Sequence, residues 1–577
     1  MAQPAQGGPG GRRRRPGRPH RADQDLLRGR VAGGGRDGVL RHRPRHGHLP
    51  APPADRHRLP AALHGLHAAA RDGDAPGPQR RRGRAARRGR RAVRRHPGRA
   101  ARGRRRRRWP VTTPDQRAAL LSRLAGLPPE RREALLRLAR DRDAGRTWPL
   151  SFGQERLWFL SRFDPSDTTY HTPWCVRLRG PVDADGIAAA FTRVAERHHV
   201  LRTRFRLAGD RPVQVVVPAG PVAVERSDVT GDPAPAVVEF VNRPFDLEAG
   251  PPLRVALMRL ADEDFVLCIV LHHIVVDGWS LDVLMRELAE CYAAHREGRQ
   301  PVLAELPTQY TDVAAEDRSR AESEDTAHLD HWTRTLAGAP VLDLPADRPR
   351  PARWTGRGGQ ESLLVPDEVI IRLEGVARQQ RCTLFMALLA AYQATLGLAA
   401  GQQDLCVGVP VAGRNRVELE PLIGYFATTL VLRADLSGDP TFRELLKRTR
   451  LAVFRGLQHA EVPFERILGA LRLPRDLSRP PLLQAMFNLH NLPKGDLLRT
   501  AMADLAVEVY PMPPAGRTKA EISVDVWRGP EGLGGVLDYN SDLFSAGTAR
   551  RLVRAFTDVV ERAGTDPDLR LSDLRGV

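Results

Sequence analysis

The stretch that most constrains this chain is Phe265–Ser280, FVLCIVLHHIVVDGWS. Phe265–Leu271 is an apolar run rich in β-branched residues, the pattern of a buried strand, and an Asp-Gly turn at Asp277–Gly278 closes the stretch. Between them stand His272 and His273. Neighbouring strand positions point to opposite faces, so one imidazole can enter a cleft while the other packs into the protein. An Asp four residues after the pair can brace the turn from behind, which makes the stretch a candidate base with its support.

The surrounding texture is α/β. Ile187–His199 reads as a helix, Val213–Val217 and Val222–Val224 as strands, and Leu281–Arg296 as a helix that follows the histidine turn directly. A charged, irregular patch near Ala314–Thr326 and the Pro/Arg-rich Pro345–Arg353 separate this half from a second one. The second half is expected to open with a helix over Val376–Leu396, to continue through a strand at Leu405–Val411, and to close with strands and a helix over Val536–Val560. Two comparable α/β lobes follow, at residues 148–325 and 326–577, with a cleft between them as the expected place for a site. Before them, residues 111–147 carry leucines at helical spacing, Leu120, Leu121, Leu124 and Leu127, then Leu135, Leu136 and Leu138 beyond Pro128–Pro129. Two short amphipathic helices are expected there, as a linker or as a docking element.

The formal charge of +22 invites a nucleic-acid reading until its distribution is examined. Residues 1–110 hold 32 of the 87 arginines, with six Asp and no Glu, a net of +26 that leaves the remainder at −4. The same segment has no Ser, Thr, Asn, Lys, Glu, Ile, Phe, Tyr or Cys, unlike an ordinary disordered tail. Its common residues can all be written with GC-rich codons, and the whole chain has three lysines, Lys447, Lys494 and Lys519. Residues 1–110 are therefore read as a disordered Arg/Gly/Pro-rich segment arising from a misplaced gene start, with a true nucleic-acid-binding arm as the rival; no nucleic acid is expected for the folded region. Cys175, Cys268, Cys291, Cys382 and Cys406 show neither CxxC nor metal-ligand spacing and suit reduced thiols. With no apolar run of membrane-span length and no signal-peptide core, a cytoplasmic protein without a membrane partner is expected.

Other segments then join the histidine stretch. His272, His273, Asp277 and Gly278 resemble the HHxxxDG motif of the condensation domains of nonribosomal peptide synthetases, members of the chloramphenicol acetyltransferase-like acyltransferases. Ser151–Leu160, SFGQERLWFL, is similar to that family's opening motif, and Arg197–Phe205, RHHVLRTRF, to its second, with His199 where an acidic residue is usual. Tyr310–Ala314, YTDVA, matches part of the fourth; Ile423–Arg433, IGYFATTLVLR, resembles the fifth, His459–Glu465, HAEVPFE, a variant of the sixth, and Arg475–Leu482, RDLSRPPL, the seventh. Their order and spacing are the family's across about residues 148–577.

The resemblance implies two acyltransferase-like lobes in a V-shaped pseudo-dimer, with the histidine loop at their junction and a tunnel open at both faces. It implies a donor acyl or peptidyl thioester carried on the phosphopantetheine of a partner carrier protein, attacked by an acceptor amine from the other side. No cofactor of the protein's own, no metal and no acyl-enzyme are expected; the chain has no GxSxG elbow and no cysteine in a nucleophile setting near the histidines. His273 is assigned as base or amine-positioning group and His272 as its mainly structural neighbour. Gly278 is expected to allow close backbone approach and to offer its N–H to the oxyanion. Arg414, in the segment before the fifth motif, is the favoured partner of Asp277, with Arg202 second.

DGWS at Asp277–Ser280 is more similar to the subclass that joins two L-configured residues than to epimerisation or heterocyclisation types. The end soon after Leu571–Leu574, LSDL, with neither a carrier motif nor an adenylation signature, suggests a stand-alone, monomeric enzyme whose carriers and synthetase modules act in trans. The alternatives are an ester- or amide-forming acyltransferase with a soluble acceptor, and a catalytically idle recruitment platform.

Overall fold

The buried strand Phe265–Leu271 belongs to β7 (Asp264–His272), the middle of a five-stranded sheet whose two faces are both covered. Leu267, Ile269 and Leu271 face one hydrophobic cluster, while Val266, Cys268 and Val270 face another. This is why the run is continuous rather than alternating. The computed structural model describes residues 146–323, 326–490, 504–512 and 516–574, all within one compact unit. The expectations for residues 1–110 and for helices within 114–145 lie outside the described residues.

The N-terminal lobe runs β1 (Thr147–Pro149), α1 (Phe152–Phe163), β2 (His171–Arg179), α2 (Ala184–Arg197), β3 (Thr203–Ala208), β4 (Arg211–Val216), β5 (Val224–Asp228), α3 (Ala234–Asn242), β6 (Leu253–Ala261), β7, α4 (Gly278–Arg296) and α5 (Tyr310–Ser323). α2 and α4 pack on one face of the sheet and α3 on the other. β1, β4 and β3 form a small separate sheet. α5 corrects the expectation of an irregular patch at Ala314–Thr326. Its apolar anchors are confined to its first turns, Tyr310, Val313 and Ala314, and ion pairs hold the rest, Arg416 to Glu316 and Arg318 to Glu155.

The C-terminal lobe contains α6 (Thr326–Leu336), β8 (Gly358–Pro366), α7 (Asp367–Gln379), α8 (Leu384–Ala400), β9 (Asp404–Val411), β10 (Thr428–Asp435), α9 (Phe442–Gln458), α10 (Phe464–Leu471), β11 (Ala485–His490), β12 (Ala506–Val509), β13 (Ile522–Gly529), β14 (Gly532–Asn540) and α11 (Ala546–Thr565). Six strands form one mixed sheet in the order β10-β9-β11-β13-β14-β8. The single helix expected over Val376–Leu396 is two, because Arg381 turns into the left-handed region at φ 54° and Thr383 caps a new helix by accepting from the Met386 N–H. α8 is apolar all round and buried from Met386 to Gly397, a core helix. Along β13, Ile522, Val524 and Val526 enter the core, and Ser523, Asp525 and Trp527 leave the other face of the sheet polar and half-buried.

β12 does not stay in its own half. It pairs antiparallel with β2, Ala506 opposite Arg179 and Val509 opposite Val176, and Leu505 and Val507 enter the N-terminal core. Ile423 enters that core too. The division expected at 325/326 is thus crossed in space, since β2 would otherwise present a bare edge. Among the described residues no single helix is long and apolar enough to cross a membrane, and all five cysteines are free and buried.

Candidate functional site

β7 ends at His272, a single 3-10 turn spans His273–Val275, and Asp277 caps α4. The two imidazoles diverge. His272 is 4% exposed, lies against His171 and Phe245, and accepts the Ile274 N–H at Nδ1, 3.1 Å away. Burial, with the neighbouring His171 and Lys519 charges, lowers its pKa to about 3. His273 is half-buried, its backbone N–H donating to the Tyr170 carbonyl at 2.8 Å and its ring set edge-on to Tyr425 at 5.0 Å. Its Nδ1 is shielded from solvent and has no hydrogen-bond partner among the described residues. Burial first, then the positive charge of Lys519, holds its pKa well below the usual histidine value, so the ring is neutral near pH 7.

Asp277 satisfies four donors. Oδ1 accepts the Ser280 N–H at 2.8 Å, the N-cap bond of α4; Oδ2 accepts Arg414 Nη1 at 2.9 Å and the Phe426 and Ala427 N–H groups at 3.0 and 3.1 Å. Both charged side chains are 2% exposed. Arg414 also donates to Ser280 Oγ and the Leu422 carbonyl and lies 4.2 Å over the Phe426 ring. The described contacts bring Arg414 to Asp277, whereas Arg202 donates through Nη1 to the Val217 carbonyl. Gly278 opens α4 on an exposed face, where an added Cβ would meet nothing within 4 Å. Its lack of a side chain leaves open space rather than fitting a close neighbour.

Three residues hold this arrangement without having been singled out from the sequence. Gln154, fully buried in α1, donates to the Ile274 carbonyl at 3.1 Å and so ties the opening motif to the histidine turn. Tyr425 packs against His273, and its carbonyl accepts the Tyr310 hydroxyl at 2.7 Å. Gly424 lets Tyr310 in, since a Cβ there would stand 2.1 Å from the Tyr310 ring. Each lies inside a quoted motif, but the distant groups they meet, the Ile274 carbonyl, the His273 ring and Tyr310, are more than a hundred residues away, beyond the reach of local pattern. A cavity of about 480 Å³ adjoins the loop, lined by Gly153, Arg156, Arg414, Tyr425 and Glu465 among others. A larger one of about 720 Å³ lies beside Trp332 and Arg433, and neither histidine of the pair lines either cavity. No cluster of His, Cys, Asp and Glu suited to a metal occurs among the described residues.

The sequence pattern of the condensation domain family matches residues 145–577, and the chain belongs to that family. One component protein of the linear gramicidin synthase of Brevibacillus parabrevis is 39% identical over 430 residues, 73% of this chain and 6% of that protein. Phosphinothricin tripeptide synthetase PhsB of Streptomyces viridochromogenes is 38% identical over 411 residues, 70% of this chain and 34% of that protein. The chain thus spans a minor part of both synthetases. Among solved structures, the X-domain from teicoplanin biosynthesis is 32% identical with a TM-score of 0.69, over 74% of this chain and 97% of that one. The first condensation domain of the CDA synthetase, 20% identical with a TM-score of 0.60 over 74% and 98% of the two chains, shares the fold.

Proposed function

We propose that this protein joins a carrier-borne acyl or peptidyl thioester to an acceptor amine, with His273 hydrogen-bonding the amine and directing its lone pair at the thioester carbonyl. The observation that carries this is the state of His273: half-buried, neutral, and held on a turn that Gln154 and the Asp277–Arg414 pair fix from two sides. A base that keeps a proton works best with a pKa near the working pH, so the depressed value favours positioning over proton storage. Holding the amine in an attack geometry replaces a bimolecular encounter with an intramolecular step. His272, turned inward, fixes the turn rather than touching substrate, and Gly278 leaves the entrance to α4 unobstructed.

The two lobes are read as acyltransferase-like halves of a V-shaped pseudo-dimer joined where residues 422–427 meet Asp277 and Ser280. Substrates arrive on the phosphopantetheine arms of separate carrier proteins, and the enzyme needs no cofactor of its own. The test is reconstitution with loaded donor and acceptor carriers: His273→Ala is expected to abolish most product while unfolding at the wild-type denaturant midpoint, and unchanged turnover refutes the assignment. Replacing the acceptor carrier by a free amine or alcohol distinguishes the soluble-acceptor reading.

The X-domain likeness favours one second reading. A solved complex pairs that domain with OxyB, which makes a recruitment platform the rival role. Under it, His273→Ala would leave partner binding intact and there would be no turnover to lose.

A further inference from the structure

The larger cavity, about 720 Å³, lies in the C-terminal lobe between α6, α8, β9, β10 and α9, and it shares no lining residue with the cavity beside the histidine loop. Its volume is that of a small-molecule site. Trp332, Leu432 and Leu445, each at most 2% exposed, give it an apolar inner wall. One group on that wall is out of keeping with the rest. Gln393 is the single side-chain amide of α8, the apolar core helix, and is itself 1% exposed. Its Oε1 accepts from Thr449 Oγ1 at 2.9 Å, and its Nε2 has no hydrogen-bond partner among the described residues. Both side chains line the cavity. A buried donor left unmet costs about 1–3 kcal/mol, so an amide kept at this position has an acceptor to meet.

The charges around the cavity are unequal: three arginines line it against two carboxylates. Arg433 is held by Asp404 at 2.7 and 2.8 Å and donates to the Thr335 and Ala337 carbonyls. Arg448 lies 3.4 Å from Asp435 and donates to the Asp435 and Ser437 carbonyls. Arg455 is left over, exposed and without a carboxylate partner among the described residues. Beside it His331 stacks on His459 at 3.8 Å, and these three residues continue into an adjoining hollow with Arg334. Burial, then the positive charges of His459, Arg334, Arg455 and His328, lowers the His331 pKa, so this side of the cavity has a positive potential with no nearby acid to cancel it.

We propose that this cavity is a second ligand site, separate from the acyl-transfer site, for a small organic anion with an apolar body and a carbonyl at its far end. The carboxylate meets Arg455, the apolar body packs on Trp332 and Leu445, and the carbonyl oxygen accepts from Gln393 Nε2. One uncompensated arginine suits a single negative charge. The apolar wall between Arg455 and Gln393 excludes a ligand that is polar throughout, because desolvating such a middle would go unmatched. The proposal does not depend on the amide-forming reading, since no residue of the histidine loop takes part.

Three probes separate these contacts in calorimetric titrations of the full-length chain at pH 7. Monomethyl suberate has a carboxylate, an alkyl chain and a distal ester carbonyl; nonanoate lacks the carbonyl, and dimethyl suberate lacks the charge. Monomethyl suberate is expected to bind most tightly, saturating below about 1 mM, the weak end of specific affinity. Arg455→Gln, a change on an exposed side chain, should weaken monomethyl suberate and nonanoate by roughly 10-fold, the scale of one hydrogen bond to a charged group, and leave dimethyl suberate unchanged. Gln393→Met should weaken monomethyl suberate and dimethyl suberate by roughly 5-fold, the scale of one neutral hydrogen bond, and leave nonanoate unchanged, with a melting temperature near that of the wild type. Should that variant fail to fold, Arg455→Gln decides alone. Absence of saturable binding of monomethyl suberate by the wild type overturns the proposal. Binding that neither substitution weakens overturns it too, by placing the probe in another site, as does an equal loss of all three probes in both variants.

Discussion

Asp277 satisfies four donors with two oxygens at 2% exposure, so Asp277→Asn leaves the Arg414 guanidinium buried opposite a neutral amide. Breaking one partner of a buried pair costs roughly 3–5 kcal/mol, and that loss should show in the urea midpoint together with a fall in turnover; a fully active variant of wild-type stability would remove the brace from the account. His272 makes a prediction of opposite character. Its folded pKa of about 3 lies below the unfolded value, so above pH ~6.5 both states are neutral and it contributes nothing to the pH dependence. As pH falls below that, the unfolded chain takes up a proton that the folded chain refuses, and stability drops by about 1.4 kcal/mol per pH unit on this residue's account. Asn can still accept the Ile274 N–H, so His272→Asn should flatten the acid limb of the denaturation profile between pH 6 and 4; an unchanged slope would show that His272 is not the group responsible. At this scale the sequence singled out His272, His273 and Asp277 because their spacing along the chain is local. Lys519 was visible there only as one of three lysines, because its place 5.5 Å from the centre of the Tyr170 ring depends on how two distant segments meet.

The join between β7, its histidine turn and α4 was legible because every signal is local: an apolar run, adjacent histidines, and an Asp whose side chain can cap the next helix. α5 was not, because its later turns are secured by ion pairs, Glu316 with Arg416 and its own Arg318 with Glu155, rather than by an apolar stripe. The segment 422–427 shows how one element can depend on the absence of a side chain. Gly424→Ala would push a methyl group to 2.1 Å from the Tyr310 ring and dislodge the hydroxyl that bonds the Tyr425 carbonyl and Ser151. Overpacking of this kind costs roughly 1–3 kcal/mol. The variant should unfold at lower urea and lose turnover, and Tyr310→Ala in the same chain should recover part of the stability by making room for the methyl group. No recovery in the double variant would mean that the clash is not the cause.

Across the whole molecule the two lobes share more than a boundary. β12 completes the N-terminal sheet, Ile423 enters the N-terminal core, and Asp277 is satisfied largely from residues 414–427. Elements that exchange buried groups in this way should melt together, so calorimetry of the folded region should give one transition with equal calorimetric and van't Hoff enthalpies. Val507→Asp, which puts an unpaired charge at a position 5% exposed in the N-terminal core, should release β12 and split that transition in two. A single unshifted transition in that variant would show that β12 is dispensable to the lobe it completes.

The pairing of β12 with β2 also sets a timetable. Arg179 waits for Ala506, and at synthesis rates of about 5–20 residues per second the roughly 330 intervening residues take about 15–65 s to leave the ribosome. Throughout that interval the N-terminal sheet stands one strand short, with the edge of β2 open to pairing with any other nascent chain nearby. Yield of soluble protein should therefore depend on how fast residues 180–505 are translated and on which chaperones attend them. Slowing that stretch with rare codons would lengthen the exposure, and speeding it would shorten the time in which a neighbouring chain can take the place of β12.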